Sequence, residues 1–188
     1  MPASKPTVLP DVVTKGRIFE IVIGGHVCSK KNELKHNGRT GHAYYPPEVR
    51  ANLDEINAQV EYQWTQRTAN GDFARQPLVH PALGFTFYVQ TTRSDRDNKL
   101  ATLMDALVAG GVLKDDSIAE CNSPILIGKA YRATEAGVAG ARIFIEPNGD
   151  FDRLYAYMRQ QDLSDIAPIK AQQAERRATR KRHFRGRV

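Results

Sequence analysis

The stretch from Phe85 to Leu113 leaves this chain little freedom in what it can fold into. Phe85-Thr86-Phe87-Tyr88-Val89-Gln90 is aromatic and β-branched, as a strand requires. Leu100, Leu103, Met104, Leu107 and Val108 then recur at i, i+3, i+4, i+7 and i+8, so one helical face is apolar, and Gly110-Gly111 stops the helix. Further strands are predicted at Arg17–Ile23, which alternates, at Ile125–Ile127 and at Ala141–Ile145, the last two joined around Gly137 as a hairpin. Pro46-Pro47-Glu48 opens a second helix with an N1 proline and an acidic first turn. Its stripe, Val49, Leu53, Ile56, Val60 and Trp64, faces a core, and Trp64 reads as packing because it continues that stripe. The simplest assembly is an α/β (α+β) fold, a mixed β-sheet flanked by helices, for which 188 residues are ample.

Carboxylates stand at both ends of the central helix. Asp95 and Asp97 lie at the strand-to-helix junction, and Asp115-Asp116 follows the Gly110-Gly111 stop. An acid before a helix ordinarily caps free N–H groups, and an Asp-Asp after glycines is ordinarily a solvated turn. Capping needs one acid, whereas here there are two at one end and two beyond the other. Hard oxygen ligands of this kind suit Mg²⁺, with Mn²⁺ as the alternative. Asp95-Arg96-Asp97-Asn98 lacks the glycine and the terminal Glu of an EF-hand loop.

The formal net charge of +6 suggests a polyanionic partner, and its distribution says more. Ile169–Val188 carries +7, with Arg177, Arg180, Lys181 and Arg182 at its centre, which leaves −1 for the rest of the chain. A second basic segment runs from His26 to Tyr45 and holds Lys30, Lys31, Lys35 and Arg39; it reads as a solvated loop or as a DNA-contacting one, since such side chains neutralise phosphates without reading bases. It contains no G-x-x-x-x-G-K phosphate loop. Cys28 and Cys121 have no metal spacing and read as buried thiols, the histidines show no zinc pairing, and no Ser–His–Asp arrangement stands out. Residues 1–16, with Pro2, Pro6 and Pro10, form an N-terminal arm, and no apolar run approaches a membrane span, so a soluble cytoplasmic protein is expected. Beyond Pro147-Asn148-Gly149, Phe151, Leu154, Tyr155 and Met158 make a short helical stripe expected to dock on the core or on a second subunit.

Asp95-x-Asp97-Asn98, then Asp105-Ala106-Leu107, then Gly111-Val112-Leu113-x-Asp115-Asp116 and a hydrophobic strand ending near Lys129 resemble the RusA-type Holliday-junction resolvases. Ser29-Lys30-Lys31-Asn32, Arg39 and Tyr45-Pro46 resemble that family's opening strand-exit loop. The likeness covers Ile18 to Ile145 and implies a RusA-like nuclease domain over 17–148, followed by a C-terminal helical extension and basic tail over 149–188. It further implies a homodimeric, Mg²⁺-dependent endodeoxyribonuclease of DNA recombination and repair, with a phage or prophage setting, that cuts four-way junctions. Asp95, Asp97 and Asp116 would be its catalytic metal ligands and Asp115 the weaker member of its pair. The chain departs from the pattern in one place: the lysine expected four residues after the second aspartate is Ala101. Lys99 lies two residues earlier, about 200° around the helix, and is no simple substitute. Arg93, Arg96, Lys99 and Lys129 join Lys30, Lys31, Arg39 and the tail cations as candidate DNA contacts, with Arg93, Arg96 or Lys129 as sources of the missing charge. Two other functions fit the same residues: a non-catalytic nucleic-acid-binding protein, favoured by Ala101, and a nuclease acting on flaps or other branched DNA.

Overall fold

A computed structural model describes residues 18–71, 77–89, 96–115, 125–132 and 139–161, with the backbone alone for Lys129 and Arg132. In chain order the elements are β1 (Phe19–Gly24), α1 (Lys30–Glu33), β2 (Lys35–His36), β3 (Ala43–Tyr44), α2 (Pro47–Ala69), β4 (Ala82–Val89), α3 (Arg96–Ala109), β5 (Ile125–Arg132), β6 (Gly140–Glu146) and α4 (151–161). β1, β6, β4 and β5 form a mixed sheet in that order: β5 runs parallel to β4, and β6 runs antiparallel to both β4 and β1.

The predicted hairpin of the last two strands does not form. β4 lies between β5 and β6. All eight residues of β4 are buried, and the most apolar strand gains most from a neighbour on each edge and a helix over each face. The α3 crossover supplies β5 parallel on one side, and β6 closes the other.

Side-chain alternation divides the core in two. Phe19, Ile21, Ile23, Leu83, Phe85, Phe87, Ile143 and Ile145 point to one face, where α2 contributes Val49, Ile56, Val60 and Trp64 and α3 contributes Leu103, Met104 and Leu107. Trp64 stacks on Phe19 with ring centroids 5.7 Å apart, so it is core, as its place in the stripe predicts. Burying a side chain such as Phe85 or Phe87 completely contributes about 1.5–3 kcal/mol relative to leaving it in water. On the opposite face Ala82 and Phe144 receive Leu154 and Met158 of α4. The C-terminal stripe is thus split: Leu154 and Met158 are buried, while Phe151 and Tyr155 are exposed.

Three local devices hold these layers. Gly84 has no Cβ because one would overlap the Met158 sulfur, so α4 can lie directly on β4. Glu146, fully buried at the end of β6, accepts hydrogen bonds from the Asn148 and Asp150 backbone N–H groups at 2.9 and 2.7 Å and lies 3.4 Å from Arg153, which fastens the start of α4. At the β1 edge of the sheet, Gln59 and Gln63 of α2 stand in for a missing strand. Gln63 accepts from Val22 N–H and donates to Val22 C=O at 2.9 and 2.8 Å, and Gln59 does the same for Gly24 at 2.7 and 3.3 Å. An open strand edge that would template pairing with another chain is thereby closed.

Candidate nucleic-acid and metal site

β1 and β4 point the same way, because each is antiparallel to β6 between them. Gly24 pairs with Gly140, and Gly140 with Tyr88, so both strands end on one edge of the sheet. The segment leaving β1 therefore meets the beginning of α3, the end of an open α/β sheet where ligands ordinarily bind.

Four interactions between α3 and the segment Val27–Glu33 fix this meeting. Asn98 Nδ2 donates to Asn32 Oδ1 at 3.1 Å. The Lys30 backbone N–H donates to Thr102 Oγ1 at 3.3 Å, and its ammonium pairs with Asp105 at 2.5 Å. Lys99 donates to the Val27 carbonyl. Ser29 caps α1 by accepting from Asn32 N–H, and Asn52 of α2 ties the same segment down by accepting from Cys28 N–H at 3.1 Å and donating to the His26 carbonyl at 2.9 Å.

Lys99 does not stand among the surface cations, where its sequence position suggested. It is 5% exposed, with its ammonium turned inward to Val27, and it supports the loop instead of reaching a phosphate. Its stem covers the core and its charge is satisfied by a carbonyl. Its field reaches neighbouring groups. Burial, with the Lys99 charge adding to it, pushes the His26 imidazole below its ordinary value against the opposing effect of Glu33. Burial, followed by Glu33, pushes the Cys28 thiol up, so this buried cysteine stays protonated and inert. Ala101 is exposed on the helix.

Asp97 sits in the first turn of α3, exposed, with no hydrogen bond or ion pair among the described residues. Arg96 beside it is exposed, as are Lys31 and Arg39, while Lys30 is half-buried against Asp105. Asp115 is exposed at the other end: Gly111, with φ +74°, ends α3, and Leu113 turns back to bridge Leu78 ahead of β4. From Asp97 to Ala109 the helix alone spans about 18 Å, so the structure does not bring Asp97 and Asp115 of one chain together. Among the described residues no group of three or more His, Cys, Asp or Glu side chains is placed to hold a metal ion. Asp95, Asp116, Arg93, Cys121, Arg177, Arg180, Lys181 and Arg182, and the side chain of Lys129, lie outside the described residues.

Two contributors are not legible in the sequence pattern alone. Asp105 serves as the partner of Lys30, a pairing across 75 positions that no local pattern announces. The segment that reads as a loop also contains a hairpin, β2 paired with β3, whose connection runs over residues 37–42 with Gly41, and not the Gly38 of Asn37-Gly38, in the left-handed region.

No protein-family model and no curated protein matches this chain.

Proposed function

We propose that this protein is a Mg²⁺-dependent endodeoxyribonuclease acting on branched DNA, with the four-way junction as its substrate. The observation that carries the reading is the placement of Asp97: an exposed carboxylate at the ligand-binding edge of the sheet, beside a cation-bearing segment locked onto the same helix. The spacing of Asp95, Asp97, Asp115 and Asp116, which resembles that of the RusA-type resolvases, supports it. Carboxylates there would hold a divalent ion that lowers the pKa of a bound water and stabilises charge on the phosphate and the leaving oxygen. Lys31, Arg39 and Arg96 would meet DNA phosphates.

The length of α3 adds a condition. Asp97 and Asp115 stand at opposite ends of the helix, so a metal held by both takes them from two copies of the chain. A two-fold dimer provides two such sites, one for each opposed strand of a junction. Mixing Asp97→Asn protein with Asp116→Asn protein tests this directly. Each variant alone is inactive, but in a mixed dimer with shared sites one site receives both wild-type acids and cutting returns; sites built within one chain would leave the mixture dead.

A non-catalytic DNA-binding protein is the second reading, and the observation favouring it is the exposed alanine at position 101 together with the inward turn of Lys99. Divalent metal separates the two: a nuclease cuts branched DNA only when Mg²⁺ or Mn²⁺ is added, and a binder only retards it.

A further inference from the structure

The β2–β3 hairpin contributes nothing to the core. Every residue from Leu34 to Tyr44 is exposed. It is nevertheless held in shape by its own bonds: Asn37 N–H donates to the His42 carbonyl at 2.9 Å, Gly41 N–H donates to the Asn37 carbonyl at 2.8 Å, and Asn37 Oδ1 accepts from Arg39 N–H and Thr40 N–H at 2.9 and 3.2 Å. Gly41 supplies the left-handed residue the turn needs, with φ +70°. An isolated two-stranded hairpin is marginal in water, so a shaped hairpin that adds no residue to the core presents a surface more than it stabilises a fold.

The surface has a definite chemistry. Lys35 is directly opposite Tyr44 in the register, and His36 is opposite Ala43. Directly paired residues share a face with Cβ atoms about 5 Å apart, so a lysine and a tyrosine side chain leave the same face of the hairpin from neighbouring positions, the tyrosine 45% exposed. Arg39 lies at the turn, and the segment from Lys30 to Tyr44 holds Lys30, Lys31, Lys35 and Arg39 against a single acid, Glu33. A ring beside a cation matches one nucleotide, whose base stacks on the ring while its phosphate meets the charge. Only a base outside a duplex stack can offer its face in this way. The foot of the hairpin is anchored beside Asp97 by the Asn32–Asn98 contact, and further along α3 by Lys30–Asp105.

We infer that the β2–β3 hairpin holds a nucleotide whose base is unstacked at the branch point of the DNA, with Tyr44 stacking on the base and Lys35 neutralising its phosphate. The source of that nucleotide rests on the branched-DNA reading above. Binding separates the two claims, because it is read without cutting. Full-length protein in EDTA is titrated with a four-way junction carrying 2-aminopurine at the branch point, and with an intact duplex of the same length. Tyr44 is exposed and outside the core, so its substitution leaves the fold in place. Wild type and Tyr44→Phe change the 2-aminopurine fluorescence alike. Tyr44→Ala loses most of that change and binds the junction about fivefold or more weakly, the loss of one stacked base, with duplex affinity unchanged. Tyr44→Ala that binds the junction like wild type overturns the proposal and leaves the hairpin to a protein partner; equal weakening on junction and duplex overturns it too, reducing the hairpin to a general phosphate contact. A wild type that gives the fluorescence change but cuts nothing in Mg²⁺ upholds the hairpin's role and removes only the nuclease.

Discussion

The contrast between Asp97 and Lys99 is set by two positions on one helix. At about 100° per residue, Asp97 faces water while Lys99 faces the segment leaving β1, and only the first is available to a ligand. Asp97→Asn keeps the shape and removes the charge. It is expected to lower the cleavage rate by about a hundredfold or more, the effect of losing several kcal/mol of metal stabilisation in the transition state, while junction binding in a gel-shift assay is retained. Undiminished Mg²⁺-dependent cutting by the purified variant would remove Asp97 from the site. The position of Asp97 was legible in the sequence because a strand-like run and an apolar stripe bracket it. The destination of Lys99 was not, since its partner is a backbone carbonyl 72 positions away, and a lysine two residues after an acid looks the same in sequence whether it points out or in.

Among the elements, those announced by periodicity formed as expected. The stripes of α2 and α3 and the alternation of β1 all face the core, and Asn70 and Gly71 end α2. What periodicity could not convey was which strands are neighbours, because alternation fixes a face and not a partner: the β5–β6 connection, which reads as a hairpin from its glycine, spans β4 instead. The covered edge of β1 was equally hidden. Gln59 and Gln63 look like ordinary polar positions of an amphipathic helix, yet each makes a reciprocal pair of bonds to the strand. The double variant Gln59→Ala/Gln63→Ala is expected to lose about 1–3 kcal/mol in urea unfolding, at the ordinary net value of such hydrogen bonds, and to self-associate at high concentration as the β1 edge opens. Unchanged stability and an unchanged sedimentation profile would show that water serves the edge as well as the glutamines do.

For the whole molecule, a metal site shared across the length of α3 requires two copies. Sedimentation at micromolar protein is expected to give twice the 21.0 kDa chain mass, and a monomer would contradict the shared site. The formal charge is a property of the tail, Ile169–Val188 at +7. Truncation after Pro168 is expected to weaken DNA binding for every sequence and to flatten the plot of log affinity against log salt by about 0.9 for each duplex phosphate that the tail neutralises, with cutting at saturating protein and low salt preserved. An unchanged slope would remove the tail from the DNA interface. Among the described residues no helix is long and apolar enough to cross a membrane.

The proposed metal-dependent cutting of branched DNA joins these scales, and one measurement addresses it most directly. Full-length protein is incubated with a mobile four-way junction, a flap, a duplex and a single strand of related sequence, with Mg²⁺ and with EDTA. A junction nuclease gives cuts near the branch point in Mg²⁺, none in EDTA, and none in the linear DNAs under the same conditions, and this is the expected result. Retardation of the junction with every strand left intact in both Mg²⁺ and Mn²⁺ would contradict it and make the protein a binder of branched DNA.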